Sequence, residues 1–157
     1  MKLYCVRHGE AESSSRDPKR PLTVSGQQDV RLIADFLKQQ DTRLSTMLYS
    51  PQLRAVETAE ILQSVLSPTD CQVCPSVLDE DASIETVMSM IQTWTDHTML
   101  VGHLPFLSRL ISRLVLGNDD LFPIVNTPPA GVVCLEHFDR GRWIIQWIVH
   151  PRMLTHV

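Results

Sequence analysis

Apolar positions along this chain change their spacing in a regular way. Lys2 to Val6 (KLYCV) is a short apolar and β-branched run that reads as a strand. The stretch from Gly9 to Pro21 is polar and aperiodic, hence a loop. Thr23 or Ser25 can then cap a helix whose inward face is Val30, Ile33, Ala34 and Leu37, at i, i+3, i+4 and i+7. Thr46 to Tyr49 is a second strand. Ser50-Pro51 predicts a helix start, with serine at the N-cap and proline at the first helical position, burying Ala55, Ala59, Leu62 and Leu66. A weaker third strand lies near Cys71 to Cys74, and Ser83 caps a helix with Ile84, Val87, Met88 and Ile91 on one side. Thr98 to Val101 is the fourth strand, after which Pro105 opens a helix that buries Leu107, Leu110, Ile111 and Leu114. A stiff linker, Gly117 to Pro129, leads to Val132–His137 and Trp143–Val149, an antiparallel pair joined by the turn Asp139-Arg-Gly-Arg.

Strand and helix thus alternate four times before a closing pair. That order predicts a three-layer α/β/α sandwich: a mainly parallel sheet of about six strands, right-handed crossovers and an antiparallel closing strand. With 157 residues, 43% of them apolar, and no internal repeat, residues 1–157 are expected to form a single domain. A net charge of −4 and a pI near 5.8 argue against a non-specific nucleic-acid binder. No apolar run approaches the ~20 residues of a membrane helix, and the start has no long h-region; the expectation is a cytoplasmic protein that engages neither nucleic acid nor membrane. Cys5, Cys71, Cys74 and Cys134 are too scattered for a disulfide framework, and Cys71-Gln-Val-Cys74 has no second CxxC to complete a metal site. All four are read as structural.

Chemistry gathers where strands stop. The first strand ends in Arg7-His8-Gly9, the second in Ser50 with Arg54 one helical turn on, and the fourth in Gly102-His103. Parallel strands bring their carboxyl ends to one edge, the rim where open α/β sheets bind ligands. Two arginines and two histidines at one place are costly unless an anion sits among them. Phosphate suits such a cluster, because guanidinium groups bind its oxygens in bidentate fashion and helix amino termini add positive dipole ends. A nucleophilic imidazole must be neutral, and Arg7 and Arg54 are expected to lower its pKa. His8 is assigned as nucleophile, its tautomer fixed by a carbonyl contact near Gly9, and His103 as a protonated donor to a phosphoryl oxygen.

These residues resemble a known family. Arg7-His8-Gly9-Glu10-Ala11, Ser50-Pro-Gln-Leu-Arg54-Ala-Val-Glu-Thr-Ala59 and Val101-Gly-His103-Leu-Pro105 are similar to the three motifs of the histidine phosphatase (phosphoglycerate-mutase-like) superfamily, in the same order. The small size, the segment Asp17-Pro-Lys-Arg20-Pro-Leu-Thr23 and the Trp-rich last strand running into Pro151 resemble the SixA-type phosphohistidine phosphatases in particular. The resemblance implies that His8 takes the phosphoryl group as a phosphohistidine intermediate, which water then hydrolyses without metal or other cofactor. Arg7, Arg54 and His103 would form the phosphate pocket. The implied partner is a protein bearing phosphohistidine, such as a phosphorelay transfer domain, with inorganic phosphate as product.

Other residues divide between two readings. Arg20 and Asp17 are either pocket wall or a solvated loop pair. Glu80 falls where larger superfamily members carry a proton-donating acid, yet with Asp79 and Asp81 it also suits the amino terminus of the next helix. An imidazole leaving group lessens the need for such an acid. His97, His137, His150 and His156 are read as structural or exposed, and Trp143 and Trp147, four apart, as packing. The competing functions are a small-molecule phosphomonoesterase of the same superfamily, which would need Glu80 or an equivalent, and a non-catalytic phosphate or phosphoprotein binder. A metallohydrolase on His8 and His103 lacks carboxylate ligands at suitable spacing and would set two arginines against a cation. Oligomeric state is not encoded in any of these features.

Overall fold

The computed structural model describes residues 1–75 and 82–155. In chain order its elements are β1 (Lys2–Arg7), α1 (Val24–Gln39), β2 (Thr46–Tyr49), α2 (Leu53–Leu66), β3 (Asp70–Val73), α3 (Ile84–Ile91), β4 (Thr98–Gly102), α4 (Phe106–Leu116), β5 (Val132–His137), β6 (Trp143–Val149) and α5 (Pro151–Leu154). One mixed sheet of six strands carries the order β3-β2-β4-β1-β5-β6. The first four strands pair in parallel, whereas β5 runs antiparallel to both β1 and β6.

Successive side chains of a strand point to opposite faces, and both faces here are covered. Tyr4, Val6, Met47, Met99 and Val101 pack under α1 and α2, against Ile33, Leu37, Ala59 and Leu62. Leu3, Cys5, Leu48 and Leu100 pack on the other side under α3 and α4, against Val87, Phe106, Leu110 and Ile111. The predicted sandwich and the predicted helix stripes are therefore present, with Leu66 only partly buried rather than core. Cys5 and Cys134 are buried free thiols, and β3, at the sheet edge, leaves Asp70, Gln72 and Val73 exposed. Among the described residues no helix is long and apolar enough to cross a membrane.

Two local expectations are corrected. Helix α2 begins at Leu53 with Gln52 at the N-cap position and no side-chain cap, not at Ser50-Pro51. Ser50 is buried, and its hydroxyl is taken up by a residue of another strand end. Likewise α4 begins at Phe106, with Pro105 just outside it. Trp143 and Trp147 are packing residues as expected, but on opposite faces. The pairing of β5 with β6 shifts between Cys134↔Trp147 and Leu135↔Ile145, so Gln146 is one residue extra. Such a bulge inverts the facing of everything beyond it: Trp143 belongs to the α3/α4 side and Trp147 packs against the α1/α2 side.

Candidate active site

The parallel register carries the three strand ends to one edge. Arg7 lies beside Gly102 and Tyr49 beside Val101. Backbone pairing continues one step past the strands: the His8 amide donates to the Gly102 carbonyl at 3.0 Å and the Ser50 amide to the Val101 carbonyl at 3.0 Å. His8 and Ser50 are thereby fixed by main-chain bonds, the His103 carbonyl accepts from the Leu107 amide at 3.0 Å, and the two imidazole rings stand with centroids 5.2 Å apart, tilted 54°.

His8 is held from both sides of its own peptide. Its Nδ1 is 2.7 Å from the Gly9 carbonyl oxygen. A carbonyl only accepts, so Nδ1 carries the proton and Nε2 keeps its lone pair. Gly9 is tied in turn: its amide donates to Thr58 Oγ1 at 3.0 Å, and the Thr58 hydroxyl donates to the Arg54 carbonyl at 2.7 Å. A side chain at Gly9 would meet Val30 Cγ2 at 2.8 Å, so the close approach of this loop to α1 requires glycine. The carbonyl contact expected near Gly9 is present. His8 is lowered to about pKa 4, chiefly by burial and only then by the charges of Arg54, Arg7 and Arg20. The direction matches the sequence expectation, but desolvation rather than the arginines is the larger cause.

Arg7, at the end of β1, donates from Nη1 to the Thr127 carbonyl at 3.0 Å, and burial lowers its pKa as well. Arg54, in the first turn of α2, is buried with only 6% of its surface exposed. His103 is buried and its Nε2 lies 2.6 Å from Ser50 Oγ. Its pKa falls to about 3, through burial first and then Arg54, His8 and Arg20. In the pocket without an anion, burial together with Arg54, Arg20 and the second imidazole favours the neutral form of the ring.

Arg20 and Asp17 part company. Arg20 is close enough for its charge to depress both imidazoles, with its Nε donating to the Glu12 carbonyl at 3.1 Å. The Asp17 carboxylate accepts from the Lys19 amide at 2.9 Å and closes a local turn. Glu80 lies outside the described residues, as does His156. Of the other histidines, His97 Nδ1 accepts from the Lys2 amide at 2.9 Å and His137 meets the Trp143 ring edge-on, both packing roles. Among the described residues no group of three or more His, Cys, Asp or Glu could hold a metal ion.

Several functional positions went unassigned in the sequence. Thr58 anchors Gly9, and Glu57 accepts from the Leu22 amide at 2.6 Å, pinning the loop that carries Arg20. Thr23, one of the two caps expected for α1, does cap it through the Gly26 amide, and beyond that expectation it donates to Glu10 Oε1 at 2.8 Å. Their signal was helical spacing: Arg54, Glu57 and Thr58 stand at i, i+3 and i+4 and share one face of α2.

Comparison with known proteins agrees with this geometry. The family model described as histidine phosphatase superfamily (branch 1) matches residues 3–80, the span holding Arg7, His8 and Arg54. The chain belongs to the histidine phosphatase superfamily. This histidine phosphatase is 29% identical to the phosphohistidine phosphatase SixA of Escherichia coli (strain K12), over 96% of its own length and 94% of the relative's. It is 30% identical to an uncharacterised protein of Picosynechococcus sp., covering 87% and 85% of the two chains. The solved structure of the protein histidine phosphatase SixA complexed with tungstate superimposes with a TM-score of 0.86 at 28% identity, covering 98% of this chain and 99% of that one. The protein is a phosphatase, a hydrolase, built on the SixA and phosphoglycerate-mutase-like fold.

Proposed function

We propose that this phosphatase hydrolyses phosphohistidine on a protein, such as a cytoplasmic phosphorelay transfer domain, through a phosphohistidine intermediate on His8 and without a metal. The observation that carries the reading is the fixed His8 tautomer: Nδ1–H is committed to Gly9, so Nε2 is a neutral nucleophile facing a pocket of two arginines and His103. Tungstate, like phosphate, is a tetrahedral oxyanion, and the similar SixA structure is complexed with it. The match to SixA spans 96% of this chain and 94% of that relative, which favours the same class of substrate. A cleft of about 590 Å³ starts at Glu10, two residues past His8, and at Pro128, beside the Thr127 carbonyl that holds Arg7. Its lining includes none of Arg7, His8, Arg54 or His103, so it flanks the phosphoryl site along the chain and does not form it.

The reaction runs in two displacements. Nε2 of His8 attacks phosphorus as the substrate P–N bond breaks, and the departing imidazole takes a proton from solvent. Water then attacks the phosphoryl group on His8, its proton is lost to solvent, and Nε2 leaves with inorganic phosphate as product. Arg7 and Arg54 hold the equatorial oxygens, Arg20 adds positive potential, and His103 donates to the oxygen on which charge builds. Because the leaving group is itself a ready base, no dedicated acid at Glu80 is required.

The test is turnover of a panel of phosphohistidine proteins and phosphate esters by wild type and His8→Ala, with EDTA present. We expect phosphohistidine to be the preferred substrate, the EDTA-treated wild type to stay active, and His8→Ala to lose at least about 10³-fold in kcat. Rapid cleavage of sugar phosphates with phosphohistidine ignored would overturn the assignment in favour of a small-molecule phosphomonoesterase.

A further inference from the structure

We propose that Ser50 is a positioning residue of this site: its hydroxyl donates to Nε2 of His103 and so fixes the neutral Nδ1–H tautomer of that ring. His103 then meets a phosphoryl oxygen as a neutral N–H donor rather than as a cation. The inference rests on the function proposed above for the role of the pocket, but not for the identity of its substrate.

The proton count decides the direction of the bond. Ser50 is fully buried, and its Oγ already accepts the Gln52 amide at 3.3 Å. Its one hydroxyl hydrogen needs an acceptor, since a buried donor left unmade is costly. Among the described residues the acceptor in reach is His103 Nε2, at 2.6 Å. If Nε2 instead carried a proton and donated, Oγ would receive two hydrogen bonds and its own hydrogen would have nowhere to go. Nε2 is therefore the acceptor, and the single proton of the ring sits on Nδ1.

The other face of the ring completes the case. His103 is only 1% exposed, and its Nδ1 is buried without a hydrogen-bond partner among the described residues. With Nε2 committed to Ser50, Nδ1 is the nitrogen left to reach a bound oxyanion. The charged and titratable groups acting on the ring are Arg54, His8 and Arg20, all of which disfavour a cation there. The arrangement parallels the one at His8, where a backbone carbonyl fixes the tautomer of the nucleophile. In each ring one nitrogen is tied to the scaffold and the other is kept for phosphorus chemistry. The serine lies two residues before the cap of α2, which explains why it does not cap that helix.

Long-range proton–nitrogen spectra of the full chain labelled with ¹⁵N, saturated with inorganic phosphate, read the tautomer directly. We expect His103 to carry one proton, on Nδ1, from pH 8 to pH 6. Ser50→Ala is expected to lose that signature and about 10- to 100-fold in kcat on a phosphohistidine peptide, as removal of a group that orients a catalytic ligand does. Ser50→Thr, which keeps the hydroxyl, should retain the tautomer and recover most of the rate. Protons on both His103 nitrogens at neutral pH, or an unchanged Nδ1–H signature in Ser50→Ala, would overturn the proposal. If Ser50→Ala does not fold, the wild-type and Ser50→Thr spectra decide alone. Because the spectra need only inorganic phosphate, failure here is separate from failure to turn over phosphohistidine.

Discussion

At the scale of single residues, the nucleophile is held by a short chain of buried hydrogen bonds through Gly9 and Thr58. Gly9 carries two of these bonds, its carbonyl receiving His8 Nδ1–H and its amide donating to Thr58. Thr58 is fully buried, so replacing it by the near-isosteric valine removes the acceptor without opening space. The Gly9 amide is then left buried and unmade, which costs about 1–3 kcal/mol. The same peptide is released to rotate, and its carbonyl loses its aim on His8. The Arg54 carbonyl that accepted the Thr58 hydroxyl keeps its helical role and is not expected to matter. Thr58→Val should therefore lower both the urea midpoint and kcat, with KM much less affected. A variant with wild-type stability and rate would mean that Thr58 does not hold the nucleophile. Nothing about residue 58 in isolation foretells this role, because a threonine in a helix is ordinary. Its partner is a glycine amide 49 positions away in the chain, so only the fold joins them.

At the scale of elements, the strand-end placement of Arg7, His8, Ser50 and His103 was legible because strands and helices alternate, and parallel strands end on one side. The helix stripes were legible because a 3.6-residue period is a local property. What was not legible depended on partners distant in sequence. Ser50 and Pro51 are a sound local helix start, yet the serine binds His103 and α2 begins three residues later. Trp143 and Trp147 have same-face spacing, yet a bulge at Gln146 sends them to opposite cores. The packing of α1 against the His8 loop is also a long-range fact. A Cβ on Gly26 would fall 2.1 Å from the Glu10 carbonyl oxygen, a backbone atom that cannot swing aside. Gly26→Ala must push α1 away from Glu10 even though alanine is the better helix former. The expected loss is about 1–3 kcal/mol, the usual range for overpacking, read as a lower urea midpoint. Val24→Ala, at an exposed position of the same helix turn, is the matched control and should be near neutral. Equal stability of the two variants would show that the loop and helix are not in firm contact.

At the scale of the whole molecule, a pocket that keeps two imidazoles neutral ties its stability to pH. In the unfolded chain both rings take up protons near pH 6.5. Folded, His8 does so only near 4 and His103 near 3. Over the interval between, the unfolded chain binds up to two more protons than the folded one, so stability rises with pH. The contribution is fully present above pH 6.5 and is lost as pH falls toward 4, at up to about 1.4 kcal/mol per pH unit for each ring. Urea unfolding at pH 7 and pH 5 should therefore show a steep loss for wild type. A double variant, His8→Asn with His103→Asn, should lose much less over the same range, because neither asparagine titrates. The buffer must be free of phosphate, since an oxyanion that binds only the folded pocket adds stability of its own by mass action. That same term supplies the complementary arm: adding inorganic phosphate at pH 7 should raise the wild-type midpoint and leave the double variant closer to its unliganded value. Parallel pH dependences for the two proteins would mean that the imidazoles titrate normally in the folded state, and that the neutral nucleophile has to be abandoned.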